Sequence, residues 1–417
     1  MGVREKLAIL ADAAKYDASC ASGGGKRKGT QEGMGSVNGM GICHSFAPDG
    51  RCISLLKVLL TNHCIYDCSY CINRVSSPVK RAKFTVQELV DLTLEFYRRN
   101  YIEGLFLSSG VFDSSDRTME EMVAVARILR VEHRFNGYIH LKAVAGCATT
   151  LVQQAGRYAD RLSANIELPT RADLARLAPA KTHEEVETAM GTIVTGIAET
   201  EQAQSRRARP PTFAPAGQST QMMVGATDTA DGAILATAAS LYQRFKLRRV
   251  YYSAFSPIPH GDPRLPLVRP PMVREHRLYQ ADWLMRHYGF THDEIVPSAA
   301  QNLPTDLDPK TAWALRNRHL FPVDVNRADR AQLLRVPGIG VGCAEKILRA
   351  RRYRALRVAD LGRMHVPMRR AKFFVVCADG HGAVRKLDSL ALNASLIEGP
   401  KQLNLFASAS QAHSGQL

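Results

Sequence analysis

The sequence predicts an α/β protein: an open parallel barrel of six strand–helix units, followed by a small all-helical domain. Two observations carry that expectation. From Ile53 to about His292, short β-branched and Leu-rich runs alternate with stretches of helical period, and each crossover is long enough to hold the helix that joins parallel strands. From Asn317 onward the texture changes to short, arginine-rich amphipathic segments broken at Pro-Gly-Ile-Gly. A length of 417 residues with 45% hydrophobic content gives room for more than one core.

Residues 1–52 open with a helical pattern from Val3 to Lys15 and pass into a stretch, 22–41, with eight glycines in twenty residues. Without an apolar period this reads as a flexible extension. Lys26, Arg27 and Lys28 stand among the glycines, but the Gly-Lys-Ser/Thr ending of a phosphate-binding loop is absent. The barrel, 53–300, takes its strands at 53–61, 104–108, 138–144, 161–168, 221–225 and 249–255. Its helices fall at 85–100, 118–133, 149–158, 183–200, 230–246 and 272–288. Six units rather than eight leave the barrel open. The polar, proline-rich stretch 202–220 reads as a loop on the catalytic rim or a surface excursion. Residues 301–320 connect to the helical domain, 321–377, and 378–417 form a polar tail.

Residues 61–74 read TNHCIYDCSYCINR, and Cys64, Cys68 and Cys71 lie on one loop delivered from the first strand. The C-terminal ends of parallel strands are where α/β barrels carry their chemistry. Three thiolates this close suit one soft metal centre, zinc or an iron–sulfur cluster. A structural zinc site wants four ligands, usually from two paired knuckles, and no second pair follows, which leaves zinc to be completed by His63 or a distant cysteine. A cubane held by three cysteines keeps one iron free for a small molecule. Cys20, Cys43 and Cys52 lie upstream at irregular spacing, as candidates for a second cluster. Nine cysteines, an odd number, are no disulfide framework and fit a reducing compartment. With no leader pattern and no run of about 18 apolar residues, the expected location is the cytoplasm, without membrane contact.

The Cys-x3-Cys-x2-Cys spacing, with Tyr70 before its last cysteine, resembles the radical S-adenosylmethionine (radical SAM) enzymes, and the resemblance covers about 240 residues. It implies a partial (βα)6 TIM-like barrel of radical SAM type. It also implies a [4Fe-4S] cluster on Cys64, Cys68 and Cys71, whose open iron is chelated by the methionine moiety of S-adenosylmethionine, with Tyr70 near the adenine. Ser108, Ser109 and Gly110 stand where relatives carry a Gly-Gly-Glu-type segment for the methionine ammonium; the acidic member is absent, so carbonyls or serine hydroxyls would take its place. Asn165 and Glu167 match positions that contact ribose or carboxylate, and Glu167 is equally suited to a barrel salt bridge. Gly225 matches a glycine near adenine, or serves a tight turn. The implied chemistry is cleavage of the C5′–S bond by an electron from the reduced cluster, fed by a donor such as flavodoxin or ferredoxin. The resulting 5′-deoxyadenosyl radical abstracts hydrogen from an unactivated carbon. Tyr251, Tyr252 and Phe255 are placed to stack on a flipped base or to serve as core. No catalytic hydrogen donor is assigned.

The formal charge of +16 is concentrated, since residues 311–377 hold 15 Lys and Arg against 4 Asp and Glu. Such an asymmetry suits an anionic partner. Residues 323–352 resemble a helix-hairpin-helix DNA-binding motif, and 355–376 a degenerate second copy in which 364–367 replaces the glycine turn. The resemblance implies that Gly338 and Gly340 turn amides toward a DNA phosphate at a helix start. Arg335, Lys346, Arg349 and Arg351 would add the electrostatic part, without reading bases. The alternative is a hairpin that packs against protein. Barrel and hairpins together are similar to bacterial radical SAM proteins assigned to DNA modification or repair. The expectation is therefore a radical SAM enzyme acting on a base or lesion in DNA; RNA or tRNA modification, and a non-enzymatic iron–sulfur DNA-binding protein, are the alternatives.

Overall fold

The structure, a computed structural model, describes residues 1–14, 42–46, 52–204, 212–380, 392 and 396. The chain divides into two compact units, Met1–Asp228 with Ser240–Pro270, and Thr229–Ala239 with Pro271–Leu417. In the first, seven strands form one sheet in chain order: β1 (Ile42–Phe46), β2 (Cys52–Leu59), β3 (Gly104–Ser108), β4 (Tyr138–Lys142), β5 (Arg161–Ser163), β6 (Gln218–Val224) and β7 (Arg249–Ala254). From β2 to β7 every pairing is parallel, which is the six-stranded half-barrel expected from the alternation of strands and helices. The antiparallel β1 was not expected. It lies in the segment read as a flexible extension, and it pairs Cys43 with Leu55 and Phe46 with Cys52. Gly41 and Pro48-Asp49-Gly50 bound it as turn signals, but its five residues follow directly on a glycine-rich stretch and read as part of the extension. Cys20 lies outside the described residues.

The helices of this unit are α1 (Val3–Ala14), α2 (Val86–Arg98), α3 (Ser115–Val131), α4 (Thr149–Tyr158), α5 (Arg171–Leu177), α6 (His183–Gln204) and α7 (Asp231–Phe245), the last beginning in the second unit. Their starts are written in the sequence. Thr85 and Glu88 close a capping box on α2, and the hydroxyls of Ser114 and Thr170 accept from the first turns of α3 and α5. α1 lays Leu7, Leu10, Ala11 and Ala14 against the sheet, and Lys6 pairs with Glu88 at 2.7 Å. The connection into β6 is anchored by Phe213: a Cβ on Gly156 of α4 or Gly196 of α6 would fall 2.1 and 2.6 Å from its ring. The described part of this connection, 212–217, feeds the N-terminal end of β6, the end opposite the catalytic rim, while 205–211 lie outside the described residues.

The second unit holds α8 (Met272–Tyr288), α9 (His292–Ile295), α10 (Pro309–Arg316), β8 (Val323–Asp324), α11 (Arg330–Arg335), α12 (Val341–Ala350), α13 (Val358–Arg363), α14 (Met368–Ala371) and β9 (Val375–Val376). It is not wholly helical, since β8 and β9 pair in parallel. The division places α8 here, whereas the sequence reading carries the barrel through residue 300. Two helical pairs, α11 with α12 and α13 with α14, share a core of Leu333, Ile339, Ala344, Ile347, Leu361 and Phe374. Gly338 has φ +86°, and a side chain there would meet the Pro367 carbonyl oxygen at 3.2 Å, so the two turns touch.

Lys310 of α10 is fully buried. Its ammonium donates to the Ile339 carbonyl at 2.6 Å and lies 4.7 Å from the Tyr288 ring centre. Burial pulls its pKa down to about 7, with Asp308 and Cys343 opposing and Arg335 and Arg370 adding to the fall. Between about pH 7 and the ordinary lysine range the unfolded chain binds a proton that the folded chain does not, so stability rises with pH across that window and is lost as pH falls through 7. Both tryptophans, Trp283 and Trp313, lie in this unit, so their fluorescence follows its unfolding. Urea titrations of the full chain from about pH 6.5 to about 9.5 should show this rise, and Lys310→Met should flatten it; equal slopes would refute a buried lysine of depressed basicity.

Candidate functional site

The cysteine loop leaves the C-terminal end of β2 and is fastened to the end of β3. Leu60 N–H donates to Ser108 O and Gly110 N–H to Thr61 O, both at 2.8 Å, and Ile65 N–H donates to Val111 O at 2.7 Å. A Cβ on Gly110 would stand 2.4 Å from His63 O, so the close approach of two backbones requires glycine there. Ser108 is buried with its hydroxyl unpartnered, and the Ser109 hydroxyl donates to Gly110 O at 2.7 Å. The three residues expected as a ligand segment thus frame the loop, and Ser109 also lines the cleft beside it. Arg81 closes the loop from within, its guanidinium donating to the carbonyls of Asn62, Asn73, Arg74 and Ser77. Asn62 adds bonds to Lys80 O and Ala82 N–H.

All three thiols are free. Cys68 is 5% exposed and packs with Leu168, Leu177, Ala226, Phe255 and Leu265, while Tyr70 and Cys71 rest against the same cluster. Burial pushes the Cys68 thiol up and the Cys71 thiol up to about 11; nearby Lys181 opposes both. The Tyr70 hydroxyl is buried without a hydrogen-bond partner. Among the described residues no three His, Cys, Asp or Glu side chains converge as ligands of one ion. A cubane gives each thiolate its own iron and asks for a wider spread than a single ion does.

The adjoining cleft is lined by Tyr66, Ser109, Lys142, Asn165, Glu167 and Lys181 among others. The strand expected over 161–168 stops at Ser163 because Ile166 N–H turns to the Thr220 hydroxyl at 2.9 Å and Glu167 takes a left-handed φ of +64°. Glu167 is held there by backbone bonds to Gln221 O (3.1 Å) and from Met223 N–H (2.7 Å). Its carboxylate lies 3.9 Å from the Lys142 ammonium and 3.6 Å from that of Lys181. The salt bridge offered for Glu167 is formed, and its side chain also lines the cleft. Asn165 donates to the Gln221 side chain at 3.2 Å. Burial alone would lower the Lys181 pKa, but Tyr70, Glu167, Cys68 and Cys71 outweigh it and hold the group well above the ordinary lysine value. Two ammonium groups against one carboxylate make the cleft a site for an anionic group. Neither lysine was singled out in the sequence; the signal at Lys142 was a charge ending an apolar strand, and Lys181 carried none.

Other expected contacts lie elsewhere. Gly225, with φ +77° and a Cβ position 2.7 Å from the Pro270 ring, is a turn glycine and does not line the cleft. Tyr252 and Phe255 are core residues, and Tyr251 is half-buried under the Arg249 guanidinium. In the second unit Arg335 pairs with Glu294 at 2.7 Å, donates to Gly289 O and lies over the Phe290 ring at 3.9 Å. Arg351 donates to the Val325 and Ala328 carbonyls. Both are committed inward rather than to a phosphate. Gly338 and Gly340 are buried and Lys310 holds the carbonyl between them, so the glycine turn lies within this unit and not on its surface as expected. Lys346 and Arg349 remain exposed.

No family model matches the sequence, and no curated protein is similar to it. Among solved structures the chain is similar to HydG, a maturase of the [FeFe]-hydrogenase, at 15% identity and a TM-score of 0.39 over 53% of this chain and 46% of that one. It is also similar to the FeFe-hydrogenase maturase HydG from Carboxydothermus hydrogenoformans, at 14% identity and 0.41, over 53% and 48%. The chain thus spans about half the length of these structures. Among the described residues no helix is long and apolar enough to cross a membrane.

Arg81 offers the direct test of how the thiols are held. Removing a charged donor from buried carbonyls costs at least about 2 kcal/mol, which raises the open fraction of the loop about 30-fold. Arg81→Ala should accelerate alkylation of Cys68 accordingly, followed by mass spectrometry under native conditions; equal rates in the two proteins would show that the loop does not depend on this residue.

Proposed function

We propose that this chain is a radical SAM enzyme that carries a [4Fe-4S] cluster on Cys64, Cys68 and Cys71 and acts on nucleic acid, with DNA modification or repair as its setting. One observation supports the cofactor assignment above all: three free thiols on a loop leaving a strand of a parallel half-barrel, beside a polar cleft with two ammonium groups and a carboxylate. The donor set of three free thiols suits the cluster in number and softness. When bound, cluster and S-adenosylmethionine supply a 5′-deoxyadenosyl radical for hydrogen abstraction.

The chain's own residues bind, orient and exclude. Ser109, Asn165 and Glu167 are the polar groups that would hold the methionine and ribose portions, and Lys142 and Lys181 the cations that would meet a carboxylate. Leu168, Phe255 and Leu265 keep water away from Cys68. Nucleic acid is supported by the excess of 15 cations over 4 anions in residues 311–377, and not by the glycine turn, which is buried. A flavodoxin or ferredoxin would supply the electron. The alternative, RNA or tRNA modification, would be served by the same basic unit. A non-enzymatic iron–sulfur protein is disfavoured by the polar cleft, which such a protein would not need.

Anaerobic reconstitution should load about four irons per chain, and replacing any of Cys64, Cys68 or Cys71 with Ala should abolish loading. S-adenosylmethionine should alter the electron paramagnetic resonance signal of the reduced protein and yield 5′-deoxyadenosine. Glu167→Gln should weaken that response without loss of iron. Retention of zinc in place of iron would sink the cluster assignment, and a signal indifferent to S-adenosylmethionine would leave the non-enzymatic reading standing.

A further inference from the structure

The outer face of α12 and the turn after it form a surface that the cofactor chemistry does not use. The turn prolongs the helix, with Arg352 N–H donating to Arg349 O at 3.3 Å and Tyr353 N–H to Ala350 O at 3.2 Å. Lys346, Arg349 and Tyr353, spaced three and four apart, therefore lie on one stripe, with Arg352 beside it. All four are exposed, Tyr353 at 90%. The carboxylates nearby are already paired: Glu345 with Arg330 at 2.8 Å, and Asp360 with Arg354 at 2.6 Å. Among the described residues Lys346 and Arg349 reach only main-chain oxygens at 3.4 Å, with no carboxylate partner.

We infer that this stripe binds single-stranded nucleic acid, its cations taking phosphates while the Tyr353 ring stacks on an unpaired base. A duplex keeps its bases stacked on one another and offers a phenol no free face, whereas an exposed aromatic among cations suits a single strand. Seven residues of helical rise give the stripe a length of about 10 Å, room for a few nucleotides. The inference rests on the nucleic-acid part of the proposed function and is independent of the cluster. It also moves the contact from the buried glycine turn to the opposite end of α12.

Fluorescence anisotropy on the full chain tests it, with labelled oligothymidylate, oligouridylate and a mixed-sequence duplex at low salt. Single strands should bind more tightly than the duplex, and the ratio of the first two separates DNA from RNA as the source. Tyr353→Ala should weaken single-strand binding about 5- to 100-fold and leave duplex binding unchanged, while Tyr353→Phe should bind like the parent. Arg349→Gln with Arg352→Gln should lower the salt dependence by about one phosphate contact each. If the parent binds none of the three probes, the nucleic-acid reading itself fails. If it binds them and Tyr353→Ala binds single strands equally well, only this surface is overturned.

Discussion

One guanidinium holds the thiols in place. A loop that leaves a strand loses its ladder, and its carbonyls must find donors or water. Arg81 answers four of them at once, from Asn62 on the entering arm to Ser77 on the leaving arm. The planar fork of five donors makes this possible, and a lysine could not reproduce it. Gly110 supplies the complementary condition, letting the β3 end approach so closely that its amide reaches Thr61 O. Between these two residues the path of the cysteine loop is set before any ligand arrives.

The parallel strands were legible because their apolar runs are bounded by turn signals and separated by capped helices. The capping box of Thr85 and Glu88 is written in four letters. Where the reading overran, at 161–168, the cause is a hydroxyl on a neighbouring strand: Thr220 takes an N–H that a ladder carbonyl would otherwise hold. Nothing in the local sequence reports that substitution. The cysteine trio was legible by spacing, but the cleft beside it is assembled from Ser109, Lys142, Glu167 and Lys181, which only the pairing of successive strands in one sheet brings together. Separation along the chain hides such sets from any local pattern.

The helical unit shows the same limit in another form. Its helical pairs were plain from Pro337 to Gly340, yet the burial of the turn depends on α10, whose Lys310 holds the Ile339 carbonyl. Counting charges overstates the basic surface as well. Arg335 and Arg351 are consumed by internal carbonyls and a carboxylate, so the cations left for a partner are fewer than 15 and differently placed. A basic composition thus locates a domain that suits anions, while burial and internal pairing locate the face.

The backbone at Glu167 bears on what that position tolerates. A left-handed residue with a long side chain costs about 1–2 kcal/mol relative to glycine, so replacement by Gly or Asn would relax the main chain at that point. Relaxation of the backbone and loss of the carboxylate between Lys142 and Lys181 are then opposed in any substitution series. A variant there can melt higher than the parent while leaving Lys142 and Lys181 without their shared carboxylate, and thermal stability would be a misleading guide in selecting variants at this site.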